Sequence, residues 1–219
     1  MPIICFEGAS AVGKTTLSEY LHDNYNACVI PEVNLLFGRK PDEPKFWYFE
    51  KQVERWQLAA GASKNYEMVI FDGDPFQPLW YNWAYNFDVL ESLESIADFY
   101  REKLAAGRIA FPDKYFILSV KTDELKKRKI NDTSRTRKNF VRHLRFIEPQ
   151  RAFFSFIKSI NNNLVEFIEN EEIEKTGEKI INSIGDNFNR PNNLLSLELF
   201  DSVKNWLNKT EAEKFIFSP

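Results

Sequence analysis

Gly8-Ala9-Ser10-Ala11-Val12-Gly13-Lys14-Thr15-Thr16 decides the reading of this chain. The stretch fits G-x-x-x-x-G-K-[ST], the pattern of a phosphate-binding loop, which carries meaning only between a strand and a helix. Both flanks fit. Ile3-Ile4-Cys5-Phe6 is a short apolar run that predicts a buried strand, and Leu17, Tyr20 and Leu21 recur at helical spacing behind the loop. Gly8 and Gly13 permit backbone angles closed to other residues. With Ala11 and Val12 between them, successive N–H groups turn inward, and the helix starting near Thr16 adds its dipole to this anion cradle. Lys14 is expected to reach the β- and γ-phosphates of a bound nucleotide, and Thr15 to offer its hydroxyl to Mg²⁺. A glycine-bracketed turn with an ordinary lysine is the bland alternative, and the matching flanks argue against it.

Composition narrows the rest. At 219 residues the chain is long enough for one sizeable α/β domain and short for two. A net charge of −3 gives no overall pull toward nucleic acid or an anionic membrane. Cys5 and Cys28 sit in apolar runs without metal-type spacing and read as buried free thiols, which suits a reducing cytosol. The first strand begins almost at Met1, so no signal peptide is expected, and no apolar run approaches membrane-spanning length. A cytoplasmic location follows as an expectation.

Farther along, Ala27-Cys28-Val29-Ile30 predicts a second strand, with Glu32 just past its carboxyl end, where open α/β sheets bind ligands. A helix is expected from about Phe46 to Lys64, with Phe49, Val53, Trp56 and Ala60 on its core stripe and Gln52 on another face. Met68-Val69-Ile70-Phe71-Asp72 reads as a buried strand delivering a carboxylate toward the metal, the Walker-B arrangement. Asp74 follows two residues later, as a catalytic base, a ligand to substrate hydroxyls or a turn residue. The ring-dense segment Phe76 to Phe87 would either stack on a flat substrate, with Trp80, Tyr81 or Trp83 touching it, or plug the core.

Residues 88–106 read as an amphipathic helix, 115–120 as a fourth strand, 149–162 as a helix, 164–168 as a fifth strand, and 171–184 and 194–208 as further helices. Between the fourth strand and the 149–162 helix lies the most basic stretch, Lys126 to Arg145. Nucleic-acid binding is a weak reading of a basic run inside an acidic chain. A solvated helix face is the bland one. The sharper reading is a lid, with Asn131–Arg137 its mobile part. Arg135 and Arg137 would stabilise the transferring phosphoryl group, and Arg128 would contact the nucleotide. Lid closure would also exclude water. Five strands alternating with helices predict a three-layer α/β fold: a five-stranded parallel sheet, helices on both faces, an Arg-rich lid over about 126–145, and a C-terminal helix and tail over about 194–219, all in one domain of residues 1–219.

With those motifs and that order of elements, the chain resembles P-loop kinases of the nucleoside and nucleotide kinase group, which includes deoxynucleoside kinases and thymidylate kinases, over roughly residues 3–185. The resemblance implies that Glu32, in Ile30-Pro31-Glu32-Val33, is the base accepting the proton of a sugar hydroxyl. It also implies that Gln52 pairs with a nucleobase and that Arg128, Arg135 and Arg137 belong to the lid. One departure stands out. Deoxynucleoside kinases carry an acid-Arg pair after the third strand, and this chain has Asp72-Gly73-Asp74. A second carboxylate there is ill suited to an acceptor that already bears a phosphate.

The leading reading is therefore an enzyme, a kinase using ATP and Mg²⁺ that phosphorylates a hydroxyl of a small molecule, a nucleoside first among them. Lys14 would lie on the phosphates, Thr15 and Asp72 at the metal, and Glu32 or Asp74 at the acceptor hydroxyl as base. The alternatives are a nucleoside monophosphate kinase with Arg39 and Arg55 at the acceptor phosphate, an antibiotic phosphotransferase, and a nucleotide-binding regulatory protein without transfer activity. No nucleic-acid or membrane partner is expected. The resembling kinases often dimerise through helix faces of this kind, which leaves a homodimer open.

Overall fold

A computed structural model describes residues 1–39, 42–85, 91–131, 140, 144–185 and 193–215. The strands are β1 (Ile3–Gly8), β2 (Ala27–Ile30), β3 (Met68–Asp72), β4 (Lys114–Ser119) and β5 (Val165–Glu169). They form one sheet in the order β2-β3-β1-β4-β5, every neighbouring pair parallel. β1 is central, and Ile3 to Phe6 are fully buried, as a strand covered on both faces must be.

Side-chain alternation splits the core into two layers. Ile3 and Cys5, with Val69, Phe71, Tyr115 and Ile117, pack under helices α3 (Trp47–Ala62), α4 (Gln77–Tyr85), α5 (Leu93–Ala105), α7 (Ile147–Ile160) and α9 (Asn193–Lys209). Ile4 and Phe6, with Ile70, Phe116 and Leu118, pack under α1 (Lys14–Tyr25), α6 (Thr122–Asn131) and α8 (Ile173–Ile184). A short α2 (Val33–Leu36) follows β2. α1 and α8 cross closely: a Cβ on Gly177 would meet the Tyr20 ring at 2.5 Å.

The three-layer α/β fold predicted from the alternation is the fold observed. Its details differ in places. Gln77–Tyr85 of the ring-dense segment forms α4. The helix expected from residue 88 starts at Leu93, because the Ser92 hydroxyl accepts from the Ser95 N–H and caps it there; residues 86–90 lie outside the described residues. The helix expected from Phe46 starts at Trp47, Phe46 being left-handed with φ 66°. In the tail, the Phe215 ring docks 6.1 Å from that of Trp83. Cys5 is buried and Cys28 half-buried, both free; burial pushes both thiols up and keeps them unreactive. Among the described residues, no helix is long and apolar enough to cross a membrane.

Candidate active site

The loop after β1 folds as its sequence requires. Gly8 has φ 140° and Gly13 φ 103°. A Cβ on Gly8 would come 2.4 Å from the Leu118 carbonyl oxygen, and one on Gly13 2.6 Å from Asn170 Nδ2. Neither position has room for a side chain. Ala11 is also left-handed at φ 71°, a strain of roughly 1 kcal/mol that a rigid loop must carry. Two donors brace the loop from the β4–β5 side: Asn170 Nδ2 and Arg128 Nη1 give the Val12 carbonyl hydrogen bonds of 2.6 and 3.0 Å. Gly13 caps α1 without a side-chain hydrogen bond, so the first amides of the helix are left for an anion.

Lys14 Nζ donates to the Gly8 carbonyl at 2.9 Å, holding the lysine across the loop's mouth. Thr15 Oγ1 lies 3.4 Å from Asp72 Oδ2. Asp72 Oδ1 is buried and has no hydrogen-bond partner among the described residues. A hydroxyl beside a carboxylate with an unengaged oxygen is a hard-oxygen donor set that fits Mg²⁺, which keeps waters and phosphate oxygens in its other positions.

These groups line a cleft of about 650 Å³. Sheet order divides it into two sides. Toward β2 and β3 lie Glu32, Gly73, Gln77 and Tyr81; toward β4 and β5 lie Arg128, Asn131, Asn170, Glu171 and Ile173. The phosphate loop sits between them, above β1, where the chain's winding changes direction. Glu32 is exposed in the cleft at the start of α2.

Glu7 was not singled out from the sequence, yet it is the hub of the cleft floor. It is buried, and its carboxylate accepts from the Gly8 N–H (3.2 Å), the Asp74 N–H (2.7 Å) and Gln150 Nε2 (2.8 Å). One side chain thus ties the phosphate loop to the β3 turn and to α7. Burial raises its pKa from the usual 4.5 to about 7, against the pull of Lys14. The signal available was an acid inside an otherwise apolar strand, which needs partners to be buried.

Several expected residues stand elsewhere. Asp74 is buried and does not line the cleft. Its Oδ1 accepts from the Tyr115 hydroxyl (2.9 Å) and the Phe76 N–H (3.0 Å), which makes it a turn anchor. Burial raises its pKa to about 6, countered by those hydrogen bonds and by Arg55. Gln52 is buried too, its Oε1 accepting from Arg55 Nη1 at 2.5 Å, so it faces α3's own arginine instead of the cleft. Trp80 is a core residue, stacked near Phe153. Trp83 packs on Trp206 and donates to the Thr210 carbonyl at 2.6 Å. Of the three rings expected to touch substrate, Tyr81 alone lines the cleft. The reason is helical geometry: Trp80 and Trp83 are three residues apart and share the buried face of α4, while Gln77 and Tyr81, four apart, share the open one. Arg128 reaches the cleft; Arg135 and Arg137 lie outside the described residues.

A glycine-bracketed phosphate-loop sequence on a five-stranded parallel sheet, with a carboxylate at the end of β3, defines a P-loop protein. The AAA domain family model AAA_28 matches residues 3–148, and the chain belongs to that family. Solved structures share the fold. Thymidylate kinase from Candida albicans has a TM-score of 0.57 at 13% identity, over 87% of this chain and 98% of that one. Thymidylate kinase from Ehrlichia chaffeensis has 0.50 at 19%, over 84% and 98%. Deoxyadenosine kinase from M. mycoides with bound dATP has 0.52 at 16%, over 84% and 99%. No curated protein matches this sequence significantly.

Proposed function

We propose that this protein is an ATP- and Mg²⁺-dependent kinase acting on a hydroxyl group of a small molecule, with nucleosides the leading acceptor class, and that it works in the cytoplasm. The observation that carries the reading is the single cleft in which Lys14, Thr15 and Asp72 face the exposed carboxylate of Glu32. The thymidylate and deoxyadenosine kinases that share the fold support it.

The loop amides and Lys14 would bind the β- and γ-phosphates. Thr15 and Asp72 would hold Mg²⁺, which when bound neutralises phosphate charge and orients the γ-phosphoryl group. Glu32 would take the proton of the acceptor hydroxyl as its oxygen forms a bond to the γ-phosphorus, while the bond to the β-phosphate oxygen breaks and ADP leaves. Arg128, with Arg135 and Arg137 of the lid, would balance the charge on the moving phosphoryl group. Tyr81 and Gln77 would contact the acceptor.

A monophosphate acceptor fits less well. It needs a cationic site, and the two arginines considered for it are engaged: Arg39 forks onto Glu43 at 2.6 Å, and Arg55 is buried against backbone carbonyls. A neutral or amine-bearing hydroxyl compound, including an antibiotic, remains the second reading on the same grounds.

The test is acceptor-stimulated ADP release from Mg-ATP across nucleosides, nucleoside monophosphates and hydroxyl-bearing antibiotics, with Glu32→Gln run beside the wild type. Stimulation by a hydroxyl compound that Glu32→Gln abolishes is the expected result. Stimulation by a monophosphate alone, with Glu32→Gln active, refutes it. Nucleotide binding without stimulation by any acceptor points to the regulatory alternative.

A further inference from the structure

Arg55 is a buried cation outside the cleft. It is 1% exposed, inside α3, and no carboxylate lies within ion-pair distance among the described residues. Its Nη2 donates to the carbonyl oxygens of Asp72 (2.9 Å), Gly73 (3.3 Å) and Ile30 (3.4 Å), its Nη1 to Gln52, and its guanidinium lies 5.1 Å from the Phe71 ring centroid. The Nε is buried without a partner among the described residues. A buried, unpaired cation is costly, and an apolar side chain of similar length would pack α3 on the sheet at lower cost.

Its three carbonyl partners sit where the sheet's own bonding stops. The β2–β3 ladder ends at the pair Ile30 and Phe71, and β2 is the edge strand. Asp72 and Glu32 both lie beyond that last pair. One guanidinium bridges the two chain ends that carry them, and its positive charge acts on both carboxylates.

We infer that Arg55 is a positioning residue that holds the base Glu32 and the metal-binding Asp72 in fixed relation, doing from α3 the job of ordering this edge of the site. The inference rests on the kinase reading. Arg55 touches no substrate itself; it acts through the backbone at Ile30, Asp72 and Gly73. Gln52 belongs to the same device, because it fixes the plane of the guanidinium.

The experiment compares wild type, Arg55→Met and Arg55→Lys. Folding is checked by circular dichroism. ATP affinity is measured by calorimetry with Mg²⁺ and with EDTA, and kcat and KM with the best acceptor found for the wild type. Arg55→Met is expected to lose about tenfold of the Mg²⁺-dependent gain in ATP affinity, with affinity in EDTA unchanged. Its kcat is expected to fall about 100-fold with KM for ATP in EDTA-free buffer moving far less. Arg55→Lys, which keeps the charge and one or two of the bonds, recovers part of both. If Arg55→Met does not fold, the intermediate values of Arg55→Lys carry the test. A folded variant with wild-type Mg²⁺ dependence and kcat overturns the inference and leaves the kinase reading intact. A wild type that gains no ATP affinity from Mg²⁺ overturns both.

Discussion

The phosphate loop and the β2–β3 side of the cleft are built on different physics. The phosphate loop is local. Its shape follows mainly from nine consecutive residues, two of them glycines at positive φ, with Asn170 and Arg128 bracing Val12 from outside, and its charge comes from Lys14 and the start of α1. The β2–β3 side is assembled from distant pieces: Glu32 after β2, Gly73 after β3, Gln77 and Tyr81 on α4, Gln150 on α7, all laid on the floor that Glu7 provides. A local device tolerates changes in its neighbours and fails at its own residues. An assembled one fails wherever a tie between pieces is cut.

Lys14→Ala gives the largest effect. If Lys14 faces the developing phosphate charge as proposed, its removal is expected to lower kcat by about 10²–10³, with the melting temperature of the apoprotein nearly unchanged, since its hydrogen bond among the described residues is to the Gly8 carbonyl. A large drop in melting temperature would mean that the loop is not the self-contained unit described above.

Asp74→Ala tests the other side. It orphans the buried Tyr115 hydroxyl and the Phe76 amide, so denaturant unfolding is expected to report a loss of roughly 1–3 kcal/mol. Turnover of the folded fraction should stay within a few-fold. A complete loss of turnover at full stability would restore Asp74 as a catalytic group and break the assignment of the base to Glu32.

Glu7→Gln gives the smallest effect and the finest distinction. The folded pKa of about 7 lies above the ordinary 4.5, so the native state binds the extra proton between those values. Stability from this group is therefore full below about pH 4.5 and is lost as pH rises toward 7. Glutamine mimics the protonated form, so melting temperatures of the variant should fall less than wild type between pH 5 and 8. Parallel curves would show that Glu7 stays ionised in the native state.

The sequence carried the fold a long way. Apolar runs of four to six residues with helical spacing between them gave five strands within two residues of their observed bounds, because such runs are buried in a parallel sheet. The sheet order β2-β3-β1-β4-β5 was not legible, since parallel runs of similar composition carry no mark of which is central. The same divide runs through the site. Lys14, Thr15, Asp72 and Glu32 line one cleft because loop and strand-end positions fix them relative to the chain itself. Gln52, Asp74, Trp80 and Trp83 read equally well as ligands or as core, and only packing put them in the core. Gln52 faces Arg55, Asp74 faces Tyr115, and the two tryptophans face α7 and α9.

By itself, then, the sequence determined the shape of the loop after β1, because a short run of residues dictates the directions of its backbone amides. The tertiary structure decided what lines the rest of the cleft, which acid forms its floor and which arginine lies buried behind it. Those depend on which strands become neighbours and which helix face is left open, and both are settled by burying the largest apolar area over the whole chain.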